Sequence, residues 1–283
     1  MWRQMVMTPT QEKRPLLGVI RKNALYHQLQ QAIRTLPTNC SNVGFYLSRD
    51  YYIIDGFDIS GGEGTGTGVS IHGIFVGAGT GNVVRNNFIH DIGRTVCSTS
   101  VYGFTGIFVG TSVVSNLILD NNVIASVGRL RGTNGHSENG CNLTAGNGNL
   151  DQNDHGMYAS TLNNADFKNN IFYNTINAPF ATYNLKCSGI TIERTLTNSS
   201  SNNLFATSTS KPLCVSLKDN TVNTNPSFVN VSARNYHLSS ESVAVDAGVS
   251  VGLPFNGSAL DIGAFEYMEI PRVISPPKNL RIK

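Results

Sequence analysis

Gly106-Ile107-Phe108-Val109, followed by Leu119-Asp120-Asn121-Asn122-Val123-Ile124, occurs in three versions along the chain. Gly73-Ile74-Phe75-Val76 leads to Val84-Arg85-Asn86-Asn87-Phe88-Ile89, and Gly156-Met157-Tyr158-Ala159 leads to Phe167-Lys168-Asn169-Asn170-Ile171-Phe172. A weaker copy precedes them, from Gly44-Phe45-Tyr46-Leu47 to Ile53-Ile54-Asp55-Gly56-Phe57-Asp58. The anchors Asp55, Asn86, Asn121 and Asn169 are 31, 35 and 48 residues apart, so a constant strand pattern carries one loop of variable length per repeat. That pattern is a solenoid.

Apolar residues alternate with period two in each copy, which makes the units strands. Three short strands fit each repeat, and Asn-Asn makes one fixed corner because Asn tolerates left-handed backbone angles. When rungs stack at about 4.8 Å, the corner amides can bond to their equivalents above and below.

The order of strand, short turn, strand, Asn corner, strand and long loop resembles the right-handed parallel β-helix of the pectate-lyase-like superfamily, over roughly residues 44–265. Asn225-Pro226-Ser227-Phe228-Val229-Asn230, Tyr236-His237-Leu238, Ala244-Val245-Asp246-Ala247-Gly248 and Asp261-Ile262-Gly263-Ala264-Phe265-Glu266-Tyr267 look like the closing segment of many secreted bacterial β-helix proteins. The expected fold is all-β, a three-strand-per-turn coil spanning 44–267. An N-terminal segment, 1–43, precedes it, and a tail or linker, 268–283, follows. Leu25, Leu29, Ala32, Ile33 and Leu36 recur at helical spacing before Pro37, and this predicts a short amphipathic helix that caps the open end of the coil. From Asn198 onward the repeat loses its clean pattern, so shorter irregular strands are expected there.

With 283 residues the chain is long enough for one large domain. Only 14% of residues are charged, 28 are Gly, and the net charge of +3 with no basic stripe argues against nucleic acid. No apolar run approaches the roughly 20 residues that span a bilayer. The N-terminus lacks the apolar core of a signal peptide, so the chain is expected to be a mature or truncated form or a fragment. Pro276-Pro277-Lys278-Asn279-Leu280-Arg281-Ile282 reads as a linker into another module such as a fibronectin type III domain.

Of five Cys, Cys97 with Cys141 and Cys187 with Cys214 lie where stacked turns could bring them within disulfide reach, and bridges would favour a secreted or cell-surface setting. The alternative is buried thiols throughout.

Alternation puts Ile74, Val76, Ile107, Val109, Met157 and Ala159 inside, and therefore Phe75, Phe108 and Tyr158 outside in one row. Beside two long loops, 94–105 and 129–154, such a row suits the C–H faces of sugar rings; alternatively the loops fold over it as a second small core. His155, one residue before Gly156 and next to Asp154, falls in a column with His72. An imidazole there could serve as general base or acid with Asp154 orienting it, or could be a backbone-bonded structural residue. Arg94, Arg129 and Arg131, with Lys186, could place positive charge around the groove, or could be solvated turn charges.

The resemblance implies β-elimination on an acidic glycan, with an Arg or Lys base and a cation neutralising the uronate. Here it offers Arg129 or His155 as base, with Tyr158 as proton donor. The cofactor stays open, with calcium possible: the proposed face shows no convincing cluster of Asp or Glu ligands, though Glu138, Asp151 and Asp154 in one loop could contribute. The Asp-Asp, Gly-His-Gly and Arg-Ile-Lys arrangement of polygalacturonases is missing. The expected function is therefore extracellular polysaccharide binding with cleavage by a lyase or glycoside hydrolase. The alternative is a non-catalytic surface, adhesin or filament protein that self-associates. His90-Asp91 lies away from the groove and reads as structural, and Arg85, Asp120 and Lys168 form one outward column that reads as an ionic ladder.

Overall fold

The computed structural model describes residues 43–61, 70–93, 103–110, 112–128, 154–175, 179–198, 205–207, 214–222 and 224–268, without the side chains of 182–186, 205–207 and 221–222. Among these the chain is an all-β parallel β-helix. Its first face stacks Val43–Leu47, Ser70–Val76, Gly103–Val109, the start of His155–Lys168, the start of Phe180–Glu193, and Phe205–Thr207, each parallel to the next. The second face stacks Ile53–Asp55, Val83–Arg85, Ile118–Asp120, the ends of the two long strands, and Val215–Lys218. The third runs from Asp58–Gly61 through Phe88–Ile92, Val123–Ala125, Ile171–Tyr173 and Leu196–Asn198 to Thr221–Val222.

The stretch after Asn198, expected to be irregular, completes a sixth turn in register, although its strands are short. The predicted helix over 25–36 lies outside the described residues.

Corners are built from residues that accept positive φ. Asn86, Asn121 and Asn169 have φ of 52°, 51° and 54°. Their successors, Asn87, Asn122 and Asn170, turn inward and form the amide ladder. Asn87 Nδ2 donates to Asn122 Oδ1 and Asn122 Nδ2 to Asn170 Oδ1, both at 3.0 Å. Asn220 continues the role one turn beyond Thr195, donating to the Ile192 carbonyl and accepting from the Thr195 amide.

One column of glycine, Gly44, Gly73, Gly106 and Gly156, exists for a steric reason. A Cβ on Gly106 would stand 2.7 Å from the Gly156 carbonyl oxygen and 2.7 Å from Ile124 Cγ2 in the core. With no side chain there, two successive positions face inward and alternation slips by one residue. Phe104 and Ile107 are thus both core, and Thr105 between them faces out.

The third face is apolar on both sides. Ile89, Ile124 and Phe172 fill the coil, whereas Phe88, Val123, Ile171 and Leu196 face outward and are covered by Tyr236, Leu238, Ala244 and Ile262 of the closing segment. That segment carries the antiparallel pair Phe228–Asn230 and Asn235–Leu238 and fastens to the corner amides. Asn169 Nδ2 donates to the Val249 carbonyl, its Oδ1 accepts from the Val249 amide, and Asn121 Nδ2 donates to the Asp261 carbonyl. The ending therefore lies along a flank of the coil, and this accounts for the third-face strands reading as unbroken apolar pairs.

Cys187 and Cys214 are disulfide-bonded, with Cα atoms 6.0 Å apart, and clip successive turns as the spacing suggested. Cys97 and Cys141 lie outside the described residues. No helix among the described residues is long and apolar enough to cross a membrane.

Candidate functional site

The first face carries the aromatic row. Strand registers place Tyr46, Phe75, Phe108 and Tyr158 in one column, which continues as Ala181 and Ala206. Ring centroids are 5.0 Å apart for Tyr46 and Phe75, 5.0 Å for Phe75 and Phe108, and 5.2 Å for Phe108 and Tyr158. The stack is tilted at one end, edge-to-face in the middle and parallel at the other end, all favourable aromatic geometries. Phe75, Phe108 and Tyr158 are half-buried, because each ring shields its neighbours, while Tyr46 is 59% exposed. Tyr46 was absent from the row read from sequence, although Gly44-Phe45-Tyr46-Leu47 aligns it there.

The second column of this face is His72, Thr105 and His155. The slip at the glycines turns these side chains to the ring side. His72 packs on Phe75 and Phe108 at 5.4 and 4.5 Å and is hydrogen-bonded through Nδ1 to Thr105 Oγ1. His155 packs on Tyr158 at 5.9 Å, and its Nδ1 has no partner. Both imidazoles lie beneath the rings, with 7% and 5% of their surface exposed. Burial lowers both pKa values to about 4, so both are neutral near pH 7.

Asp154 is fully buried, and its Oδ1 accepts the Phe104 amide proton at 3.1 Å. It therefore ties the strand entry to the preceding turn. Arg94, Arg129 and Arg131 lie outside the described residues, as does the side chain of Lys186, although its backbone pairs with Thr161 at the corner after the first face. Glu138 and Asp151 also lie outside, and no group of three or more His, Cys, Asp or Glu among the described residues could hold a metal ion.

On the second face, the charge column is longer than its sequence reading. It runs Asp55, Arg85, Asp120, Lys168, Glu193, Lys218, alternating in sign at every turn. The pairing departs from a simple ladder. Arg85 Nε binds Asp55 Oδ2 at 3.0 Å and Lys168 reaches Asp166 at 3.7 Å, while Asp120 Oδ1 has no hydrogen-bond partner. Burial pushes the Asp120 carboxyl up to about 6, helped by Asp166 and opposed by Lys168 and Arg85.

His90 is structural. Its two ring nitrogens contact Asp58 at 2.8 Å and Asp91 at 2.9 Å, and Arg234 of the closing segment binds the same Asp91 oxygen at 3.2 Å. Burial pulls the His90 pKa down, but the two carboxylates outweigh it and the net shift is upward.

No known family profile matches the chain, and no curated protein matches it. Among solved structures, the crystal structure of pectate lyase Pel9A is similar to it with a TM-score of 0.39 and 14% identity, over 78% of this chain and 68% of that one. A likeness that small says nothing about chemistry, and the parallel β-helix rests on the strand registers themselves.

Proposed function

We propose that the protein binds an extended polysaccharide along its first face, with Phe75, Phe108 and Tyr158 as the apolar strip and His72 and His155 bedding that strip from below. The observation that carries this reading is the ring row itself: aromatic side chains from successive turns, about 5 Å apart and partly open to solvent, on the outward side of a sheet. An outward strand face is ordinarily polar, and a continuous apolar stripe on it calls for a ligand. Strand stacking gives the rings a repeat close to the length of one pyranose unit, so a glycan lying along the coil axis meets an apolar contact at each turn.

The Cys187–Cys214 bridge supports a secreted or surface setting, because such bonds persist in oxidising compartments. Arg94, Arg129, Arg131 and Lys186 are the groups that would favour an acidic glycan. The function proposed is binding and not cleavage: of the described candidates for proton transfer, His155 and Asp154 lie under the surface with the geometry of packing residues, and Tyr158, half-buried in the ring row, is left without an accessible base among them.

Affinity electrophoresis through gels containing pectate, alginate, a glycosaminoglycan or a neutral glucan tests it. Retardation by one of them, weakened in Phe108→Ala, is the expected result; unimpeded migration through all four would sink the reading. Ultraviolet absorbance of the same mixtures reports any unsaturated ends, and their appearance would restore a lyase role.

A further inference from the structure

Tyr46 and Tyr51 are the two most exposed tyrosines among the described residues, at 59% and 74%; Tyr46 lies near the end of the first strand, Val43–Leu47, and Tyr51 on the corner that follows it. Each ring rests on a glycine of the next turn. A Cβ on Gly77 would lie 2.7 Å from Tyr46 Cε2 and 2.9 Å from its hydroxyl oxygen, and a Cβ on Gly81 would lie 2.7 Å from both Cδ1 and Cε1 of Tyr51. The rings thus occupy space that any other residue would fill with its own side chain.

Tyr51 also stands in an unfavourable backbone conformation, with φ at 62°. Its equivalents on later turns, found from the amides that bond to Thr80, Ser115 and Asn163, are Gly81, Asn116 and Asn164. Glycine and asparagine suit a left-handed position, whereas a bulky aromatic is an outlier there. The strain is held by the surroundings: Asp50 Oδ1 accepts the Thr80 amide at 2.8 Å, and the Tyr51 amide donates to the Thr80 carbonyl at 2.9 Å. A ring that is 74% exposed on a strained, pinned corner buries little of itself beyond its contact with Gly81, and strain of this kind collects at functional positions.

We propose that this strand end and its corner form the principal sugar-binding platform of the protein, with Tyr46 and Tyr51 each taking the C–H face of a pyranose ring of one polysaccharide chain. The proposal rests on the glycan reading above and relocates its strongest contacts. Within the row, Phe75 and Phe108 are half-buried edge-to-face against one another, whereas Tyr46, on the first described turn, and Tyr51 keep most of their surface exposed. Tyr46 is a member of both, so the platform is continuous with the first-face strip. The seats, Gly77 and Gly81, are four residues apart and hence no more than about 14 Å from each other, a span that a few sugar units bridge. Arg49 and Asp50 lie between the two rings in sequence and are exposed, placing polar groups where hydroxyls would stand.

The test uses affinity electrophoresis on the same four polysaccharides, with three variants. Tyr51→Asn supplies the residue that later turns use at this position, so its melting temperature should hold or rise while affinity falls at least about tenfold. Gly77→Ala keeps both tyrosines but displaces the Tyr46 ring, and should also weaken binding. Phe108→Ala should weaken it less than Tyr51→Asn. Wild-type affinity in both Tyr51→Asn and Gly77→Ala, with retardation of the wild type intact, overturns the platform and leaves the glycan reading standing. Loss in Tyr51→Asn with none in Phe108→Ala upholds the platform and removes the first-face strip. Failure of the wild type to bind any of the glycans overturns both, and a melting loss in Tyr51→Asn assigns the ring to packing and overturns the platform.

Discussion

Asn87 and Asn122, 35 residues apart in sequence, are joined twice: the Asn122 Oδ1 accepts both the side-chain and the backbone N–H of Asn87, at 3.0 and 3.1 Å. Asn122 in turn donates to the Val84 carbonyl at 2.9 Å and to Asn170, and it is wholly buried. One side chain therefore links three turns, its own and the two that flank it. Asn122→Ala takes the partner from the Asn87 backbone N–H and from one Asn87 Nδ2 hydrogen, and removes a donor from the Val84 carbonyl. Asn87 Nδ2 keeps the Ile54 carbonyl, and Asn170 Oδ1 keeps the backbone N–H of residue 122. Each interior group left unsatisfied costs about 1–3 kcal/mol. The expected loss is at least about 3 kcal/mol in urea denaturation, in one cooperative transition. A loss below about 1 kcal/mol would show that the ladder is incidental to the coil.

The disulfide closes a loop of 27 residues between the fifth and sixth turns. Chain-entropy estimates for a loop of that size give about 3.5 kcal/mol. Cys187→Ala with Cys214→Ala is expected to lower stability by about that amount, and a reducing agent should reproduce the effect in the wild type. Limited proteolysis should then cut first in the final turn, because only neighbouring turns hold it.

Much of this was readable from the chain, for specific reasons. The Asn doublets mark corners because left-handed φ excludes most residues, and period-two alternation sorts Ile107 and Val109 from Phe108 with no knowledge of the fold. The row could have been extended to Tyr46 by the same alignment. The double apolar pairs, Phe88-Ile89, Val123-Ile124 and Ile171-Phe172, could likewise have been read as a face buried on both sides that needs a covering segment. Two features lay beyond such reading. The slip at Gly73, Gly106 and Gly156 depends on a carbonyl of the next turn approaching where a Cβ would be, and it decides that His72 and His155 lie under the rings. The choice of Arg85 for Asp55 over Asp120 depends on side-chain reach and desolvation, neither of which a column of alternating signs specifies.

His155 offers a sharper test of its role. Its Nδ1 is buried and unpartnered, so an apolar replacement removes a cost along with the packing of the ring. His155→Leu should change stability at pH 7 by no more than about 1 kcal/mol. Acidification separates the two proteins. The folded wild type keeps this imidazole neutral down to about pH 4, whereas the unfolded chain takes up a proton from 6.5 downward. The unfolded state binds more protons in that window, so wild-type stability falls there as pH falls. By pH 4 the variant should lead by about 3 kcal/mol relative to pH 7. A difference that does not vary with pH would mean that His155 is solvated. In that event it would be available to a substrate after all.

Asp120 should show the opposite slope. Burial holds its carboxyl at about 6 in the folded chain against 3.8 as the ordinary value, so between these limits the folded state carries a proton that the unfolded state has released. The contribution of this group is fully present below 3.8 and is lost as pH rises through about 6. At pH 7 the wild type therefore holds a carboxylate with one oxygen unpartnered, between Arg85 and Lys168, which are turned to other acids. Asp120→Asn keeps the shape and removes the ionisation. It should be neutral within error at pH 3.5 and stabilising by about 3 kcal/mol at pH 7, with the gain appearing between pH 4 and 6 in urea midpoints taken at half-unit steps. Destabilisation by Asp120→Asn at pH 7 would instead mean that the alternating column works as a cooperative ionic ladder, with the Asp120 carboxylate bonded to Arg85 and Lys168 in solution.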